Sequence, residues 1–125
     1  MSKYLNKKIT IDGIAFDSKK EGRCYMDLVE REKRGEISDL ERQVRYQIVP
    51  AVTTEVIEHK KTKDVVKTRT IQRPSFYVAD FVYTDNTTGK TKVVDVKSEI
   101  TRRNPVYRLK KKMMLAFLGI NIIEM

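Results

Sequence analysis

The chain has almost none of the residues that build a disulfide framework or a zinc cage. Cys24 is the only cysteine and His59 the only histidine among its 125 residues. A single cysteine excludes an internal disulfide, and with one histidine it cannot supply the four ligands of a structural zinc site. No apolar run reaches the roughly 18 residues that a membrane-spanning helix needs, and the longest candidate, residues 113–123, contains Gly119.

The first residues also lack the apolar stretch of a secretory signal, and we find no internal repeat, low-complexity segment or linker. The length suits one domain with a real core, and 40% apolar with 34% charged residues is typical of soluble globular proteins. We therefore expect a single cytoplasmic domain over residues 1–125, with no membrane partner and no nucleotide cofactor.

What the chain does have is positive charge. Twenty-six basic against seventeen acidic residues give a net charge of +9 and an isoelectric point near 9.7. Such a surplus on a small domain is the usual footprint of a nucleic-acid partner. The alternative is that the charge only keeps the protein soluble.

Capping residues and apolar spacing predict two helices. The first spans residues 18–34, with Ser18 as N-cap, Glu21 three residues on, and a glycine after its end. The second spans residues 104–118 and opens with an Asn-Pro pair suited to the cap and the first helical position. The face of the second helix that we expect to pack on a sheet consists of Val106, Leu109, Met113 and Phe117.

Alternating and β-branched residues between turn signals predict the strands. They are residues 9–16 as a short strand or hairpin, then 40–52, 75–84, 91–98 and 120–125. Residues 53–73 form an exposed hairpin or flap, inserted with its turn near 60–64. The remaining order of helix, three strands, helix and strand predicts an α/β sandwich around a mixed sheet.

Carboxylates occupy strand positions that a folded sheet normally gives to apolar side chains. Asp95 and Lys97 alternate on one face of their strand. If the preceding hairpin closes around residues 87–88, Asp80 stands opposite Asp95 with Cβ atoms about 5 Å apart. Facing like charges are destabilising unless a cation lies between them, and Mg²⁺ prefers such oxygen ligands.

Glu21 supplies a third acid, because it shares a helical stripe with Tyr25 and Leu28 that must pack on the sheet. Each acid also has an ordinary explanation: Glu21 completes a capping box, Asp80 protects an edge strand, and Asp95 forms a surface pair with Lys97. Gln43 could point toward these acids, although strand glutamines are usually inert. The combination of acids, register and flanking helices favours an active centre.

The order Glu21, then Val78-Ala79-Asp80, then Val94-Asp95-Val96-Lys97 resembles the PD-(D/E)XK nuclease superfamily. The chain has alanine before the first aspartate and Asp95 where glutamate is commoner, and both variants keep the required chemistry. Local sequence resembles small phage-borne members related to Holliday-junction resolvases of the phage endonuclease I type. The segments that carry this likeness are residues 16–23, 35–43, 79–83 and 93–98.

The resemblance implies a restriction-endonuclease-like αβββαβ core and a metal-dependent DNA endonuclease, selective for branched or junction DNA in phage-type recombination or DNA processing. It implies that Asp80, Asp95 and the carbonyl of Val96 bind Mg²⁺, or Mn²⁺ in its place, with Glu21 completing the shell directly or through water. Lys97 then orients the attacking water or steadies charge on the phosphate.

Basic residues after the Asp-x-Lys strand are candidates for holding the DNA backbone, or simply form a solvated helix face. They are Arg102, Arg103, Lys110 and Lys111. We also expect a homodimer that pairs through residues 53–73 and 9–16. Two other functions stay open: a non-catalytic basic nucleic-acid-binding module, and a small assembly subunit.

Overall fold

The computed structural model describes residues 8–125, which fold into a mixed α/β structure. Its elements in chain order are β1 (Ile9–Ile11), β2 (Ile14–Phe16), α1 (Lys19–Lys33), β3 (Ile37–Val49), β4 (Val52–His59), β5 (Asp64–Gln72), β6 (Ser75–Asp85), β7 (Lys90–Asp95), α2 (Glu99–Arg102), α3 (Pro105–Leu118) and β8 (Ile123–Glu124). Within these residues no helix has the length and hydropathy that crossing a bilayer requires.

The two long helices begin and end where their capping residues predict. The Ser18 hydroxyl accepts a hydrogen bond from the Glu21 amide at 3.1 Å, and Gly35 follows α1 with φ of 75°. Asn104 Oδ1 accepts from the amides of the second and third residues of α3. Gly119 ends α3 with φ of 69°, a conformation that L side chains rarely adopt. The short helix α2 was not predicted.

A mixed four-stranded sheet in the order β3-β6-β7-β8 forms the centre of the protein. Neighbours are antiparallel except β8, which runs parallel to β7. The predicted register of the β6–β7 hairpin is confirmed at Thr84↔Thr91 and Val82↔Val93, and the pairing extends to Phe81↔Val94. Strand β7 ends at Asp95, three residues earlier than predicted.

Each face of the sheet carries its own apolar core. On the α1 face, Phe16, Leu28, Ile37, Phe81, Tyr83 and Val94 are buried together. The opposite face buries Ile48, Tyr77, Ala79, Val82, Val93, Tyr107, Met114 and Ile122. The β1–β2 hairpin covers α1 at Gly22, where a Cβ would lie 2.5 Å from the Ile9 side chain. The glycine therefore allows the hairpin to pack this closely.

The predicted buried face of α3 is wrong at three of its four residues, since only Met113 packs against the core. Val106, Leu109 and Phe117 are exposed, whereas Tyr107 and Met114 are buried against the sheet. Six consecutive apolar residues, 113–118, give the C-terminal half of the helix no unique apolar face. The rotation of α3 is set instead by Tyr107, whose hydroxyl donates to the Glu124 carboxylate at 2.8 Å.

The exposed hairpin predicted at residues 53–73 is confirmed. Strands β4 and β5 pair with each other as a separate two-stranded sheet, and residues 60–63 form the tip. None of the residues in these strands is buried. We call this segment the ribbon. It leaves the central sheet between the end of β3 and the start of β6.

Candidate active site

An irregularity in β3 and β6 lies at the centre of the candidate site. The two strands pair at Arg42↔Phe81 and again at Val44↔Ala79, so that Gln43 stands across from Asp80 without a regular pair. Gln43 has φ of 52°, which costs on the order of 1 kcal/mol in a residue other than glycine. Such irregularities often re-aim side chains next to active sites.

Strand β6 changes faces at this position. Ala79 belongs to the core on the α3 face, whereas Phe81, two residues later, belongs to the core on the α1 face. In a regular strand, residues two apart share a face. The break in alternation lets Asp80 line a cleft together with Glu21 of α1.

Asp80 is buried and both its oxygens accept hydrogen bonds from the protein. Oδ2 accepts from the Val96 amide at 2.9 Å, and Oδ1 accepts from Gln43 Nε2 at 3.2 Å. The same Gln43 amide is 3.4 Å from Glu21 Oε1, so one side chain bridges the two acids. Sequence reasoning gave Gln43 little weight. The irregular pairing of β3 with β6 brings Gln43 to the two acids, and no local sequence pattern predicts that irregularity.

Asp95 is in a different situation. Its exposed fraction is 0%, and neither carboxylate oxygen has a hydrogen-bond partner within the described part of the chain. The nearest positive charge is Lys97, whose Nζ is 3.5 Å from Oδ1. Burial raises the pKa of Asp95, and the charge of Lys97 and the nearby backbone N–H of Asp80 oppose that rise without forming a hydrogen bond of regular geometry. A buried carboxylate that accepts no hydrogen bond of regular geometry is costly, and a cation or protonation relieves that cost.

Glu21 combines a capping position with a place in the cleft. Its amide donates to Ser18, as a helix cap requires, while its buried side chain points toward Gln43 and Asp80. Burial raises the pKa of Glu21, and the nearby charge of Asp80 raises it further. The capping explanation and the site explanation are therefore compatible for this residue.

Lys97 lies between two adjoining depressions. A cleft of about 220 Å³ contains Glu21, Asp80 and Lys97, and Lys20 Nζ donates to the Lys97 carbonyl at its rim. A more open groove of about 460 Å³ contains Asp95 and Lys97. The structure thus brings the four predicted residues to one region but divides the acids between the two depressions. Among residues 8–125 no group of three acidic, histidine or cysteine side chains is close enough to hold one ion.

The donor set nevertheless suits a hard divalent cation better than any other occupant we can identify. Asp95 offers two unpartnered oxygens, Asp80 lies across the end of the β6–β7 ladder, and the Val96 backbone adjoins both. Oxygen-only ligands from carboxylates and a carbonyl are those that Mg²⁺ accepts. Asp80, Asp95 and Val96 are the residues that would hold it, with Glu21 nearby.

The four predicted phosphate-binding residues are placed differently. Lys110 lines the groove together with Asp95 and Lys97. Lys111 Nζ contacts Glu124 Oε1 at 2.8 Å, and Arg102 Nε approaches Glu124 Oε2 at 3.9 Å. The hydrogen bond from Lys111 lowers the pKa of Glu124. Arg103 is exposed. Lys111 and Arg102 are therefore partly engaged by Glu124, while Lys110 faces the candidate site.

Tyr107 connects this ion-pair network to Lys97. Its hydroxyl donates to Glu124, and the Lys97 ammonium is 5.7 Å from the centre of its ring. A cation over an aromatic face is attracted to it by about 0.5–1 kcal/mol at such partly exposed sites. Tyr107 thus acts both as core and as a support for Lys97.

Comparison with known proteins identifies a family. A family model described as "Protein of unknown function (DUF1064)" matches residues 1–121. The chain belongs to this DUF1064 family. No curated protein and no solved structure matches it.

Proposed function

We propose that this DUF1064 protein is a metal-dependent DNA endonuclease of the PD-(D/E)XK type, built on a restriction-endonuclease-like core. The observation that carries the proposal is Asp95, a fully buried carboxylate that accepts no hydrogen bond of regular geometry from residues 8–125, two residues from Lys97 and beside Asp80. Support also comes from the order α1, β3, β6, β7, α3, β8, which is the αβββαβ order implied by the sequence resemblance.

Each residue has a specific part in this proposal. Asp80, Asp95 and the Val96 carbonyl hold Mg²⁺ or Mn²⁺, and Glu21 completes the shell directly or through water. The bound ion supplies a more acidic water and compensation for negative charge on the phosphate. Lys97 is directed by Asp95 and Tyr107, and its positive charge is suited to a non-bridging phosphate oxygen rather than to proton abstraction.

The substrate that we propose is DNA, with a preference for branched or junction structures in phage-type recombination or DNA processing. The net charge of +9 and the position of Lys110 in the groove support binding of the DNA backbone.

Two symmetric cuts in a junction need two active centres, so we propose a homodimer. Sedimentation of the free protein and of its junction complex tests this. A monomer in both conditions would leave a simpler nicking or end-processing nuclease.

The decisive experiment incubates the protein with branched, flapped and linear duplex DNA, with and without Mg²⁺ or Mn²⁺, and maps the nicks. We expect metal-dependent cleavage by the wild type and by Asp27→Asn, a control that changes an exposed acid on α1. We expect no cleavage by Asp95→Asn. Absence of wild-type cleavage on every substrate would instead favour the non-catalytic binding module.

A further inference from the structure

Within residues 8–125, no other element covers the ribbon formed by β4 and β5. None of its strand residues is buried, and it exposes 58% of Ile57 and 61% of Val66, which are directly paired across the strands. A lone two-stranded ribbon is at best marginally stable in water. A partner bound along a ribbon this long would stabilise it.

The charge of the ribbon indicates what that partner is. Residues 52–73 contain six basic and three acidic residues. Two of the acids already have partners within the ribbon, because Glu58 contacts Lys67 and Asp64 contacts His59. The tip carries three lysines that form no ion pair in the described part of the chain: Lys60, Lys61 and Lys63.

The basic residues of the strands also share one face. Arg69 pairs with Thr54 and Lys67 pairs with Val56, which places both basic side chains on the same side of the ribbon, where Lys67 also contacts Glu58. The other side presents β-branched pairs such as Thr53↔Thr70 and Ile57↔Val66. A second copy of the ribbon aligned tip to tip would bring like charges together, whereas a phosphate backbone complements the lysines of the tip.

The position of the ribbon relates it to the candidate site. The groove that contains Asp95, Lys97 and Lys110 extends to Phe76 and Val78 at the start of β6. This is the end of the sheet from which the ribbon departs. A DNA strand that follows the groove away from Lys97 therefore arrives at the base of the ribbon.

We infer that the ribbon is a DNA-binding arm, which holds the duplex backbone on one side of the cleavage position. The inference rests on the proposed nuclease function and adds a specific element of substrate binding to it. Eight residues of β4 extend about 25 Å, the length of about seven base pairs. The width of a two-stranded ribbon also fits the major groove of B-DNA.

The test measures binding in EDTA, so that it does not depend on cleavage. Wild type, K60Q/K61Q/K63Q and the control K33Q/K90Q/K92Q are titrated onto duplexes of about 12 and about 24 base pairs over a range of salt concentrations. Lys33, Lys90 and Lys92 belong to α1 and β7, away from the ribbon, and the control removes the same charge. Thermal melting checks that all three proteins fold alike.

For the tip variant we expect a shallower slope of log affinity against log salt on the longer duplex. The slope should fall by about 0.9 for each phosphate that the ribbon no longer neutralises, up to about 2.7 for three lysines. Wild type should bind the longer duplex more tightly than the shorter one, and the tip variant should show little of that difference. The inference is overturned if the tip variant and the control have equally reduced slopes. It is also overturned if the tip variant keeps the wild-type slope and instead changes self-association in sedimentation.

These outcomes are separable from the fate of the proposed function. A shallower salt slope of the tip variant in EDTA, with no nicking of any DNA by the wild type, would support the DNA-binding arm and refute the nuclease function. Metal-dependent nicking with an unchanged salt slope in the tip variant would support the nuclease and refute the arm.

Discussion

The end of β7 and the ribbon both differ from ordinary packing, the first by burying a charge and the second by exposing apolar side chains. At the end of β7 the protein buries charge, because Asp95 is fully enclosed and accepts no hydrogen bond of regular geometry from the described residues. In the ribbon it exposes apolar side chains, Ile57 and Val66 among them, and no other element among residues 8–125 covers them. The first costs electrostatic free energy, and the second forgoes hydrophobic stabilisation.

The difference shows what each region requires. The electrostatic cost of the buried Asp95 carboxylate would be reduced by a small cation, which must enter the interior of the domain. The basic tip of the exposed ribbon would be complemented by an extended anionic surface, which binds from outside the domain. Natural sequences tend to break local packing rules at functional positions. Here one rule is broken at Asp95 inside the groove, and the other in the ribbon, which precedes Phe76 at the edge of the same groove.

The largest effect is expected when one of the two buried aspartates loses its charge. Asp80→Asn and Asp95→Asn should each lower the cleavage rate by about 10³-fold or more, because each removes a ligand charge needed for the metal. DNA binding in EDTA should stay intact or become tighter, since a negative charge near the phosphate is gone. Either variant with near wild-type turnover in Mg²⁺ would refute the metal-site assignment.

A second test adds the cation without DNA. Millimolar Mg²⁺ or Ca²⁺ should raise the melting temperature of the wild type, because a ligand that binds only the folded state stabilises it by about 2.7 kcal/mol at 100 times its Kd. Asp95→Asn should lose most of this shift, while Asp27→Asn should keep it. An equal shift in all three proteins would indicate non-specific binding.

The pH dependence of stability offers a third test. Because burial raises the folded-state pKa of Asp95, its contribution to stability is present at low pH and is lost as pH rises through that raised value. In EDTA, Asp95→Asn should therefore gain stability relative to wild type as the pH is raised from about 4 to about 7. Urea unfolding at both pH values measures the difference in stability between Asp95→Asn and wild type. The same difference at both pH values would contradict a cost of ionising the buried Asp95.

The smallest effect is expected in the ribbon. Ile57→Thr with Val66→Thr should change the free energy of unfolding of the domain by less than about 0.5 kcal/mol, because these side chains are exposed and pack on no core. Val94→Thr, in the buried α1-face core, should cost about 1–3 kcal/mol. A large loss of stability in the ribbon variant would show that a folded partner, such as a second copy, covers it.

Much of this architecture could be predicted from local chemistry. Ser18 and Asn104 specify the starts of the two long helices, and glycines specify their ends, because caps and left-handed residues act within one turn of the chain. The β6–β7 register follows from a short turn and β-branched strands. The basic, exposed character of the ribbon also follows from its composition.

The sequence by itself therefore determined the two long helices, the β6–β7 register and the four predicted residues that lie near Lys97 or include it. Tertiary structure alone decided how they meet: Gln43 bridges Glu21 and Asp80 through an irregular strand pairing, and α3 turns Tyr107 inward rather than Leu109. Both outcomes depend on contacts between residues distant in sequence. Periodicity reports which side chains share a face of one element, and only packing against other elements selects the face that is buried.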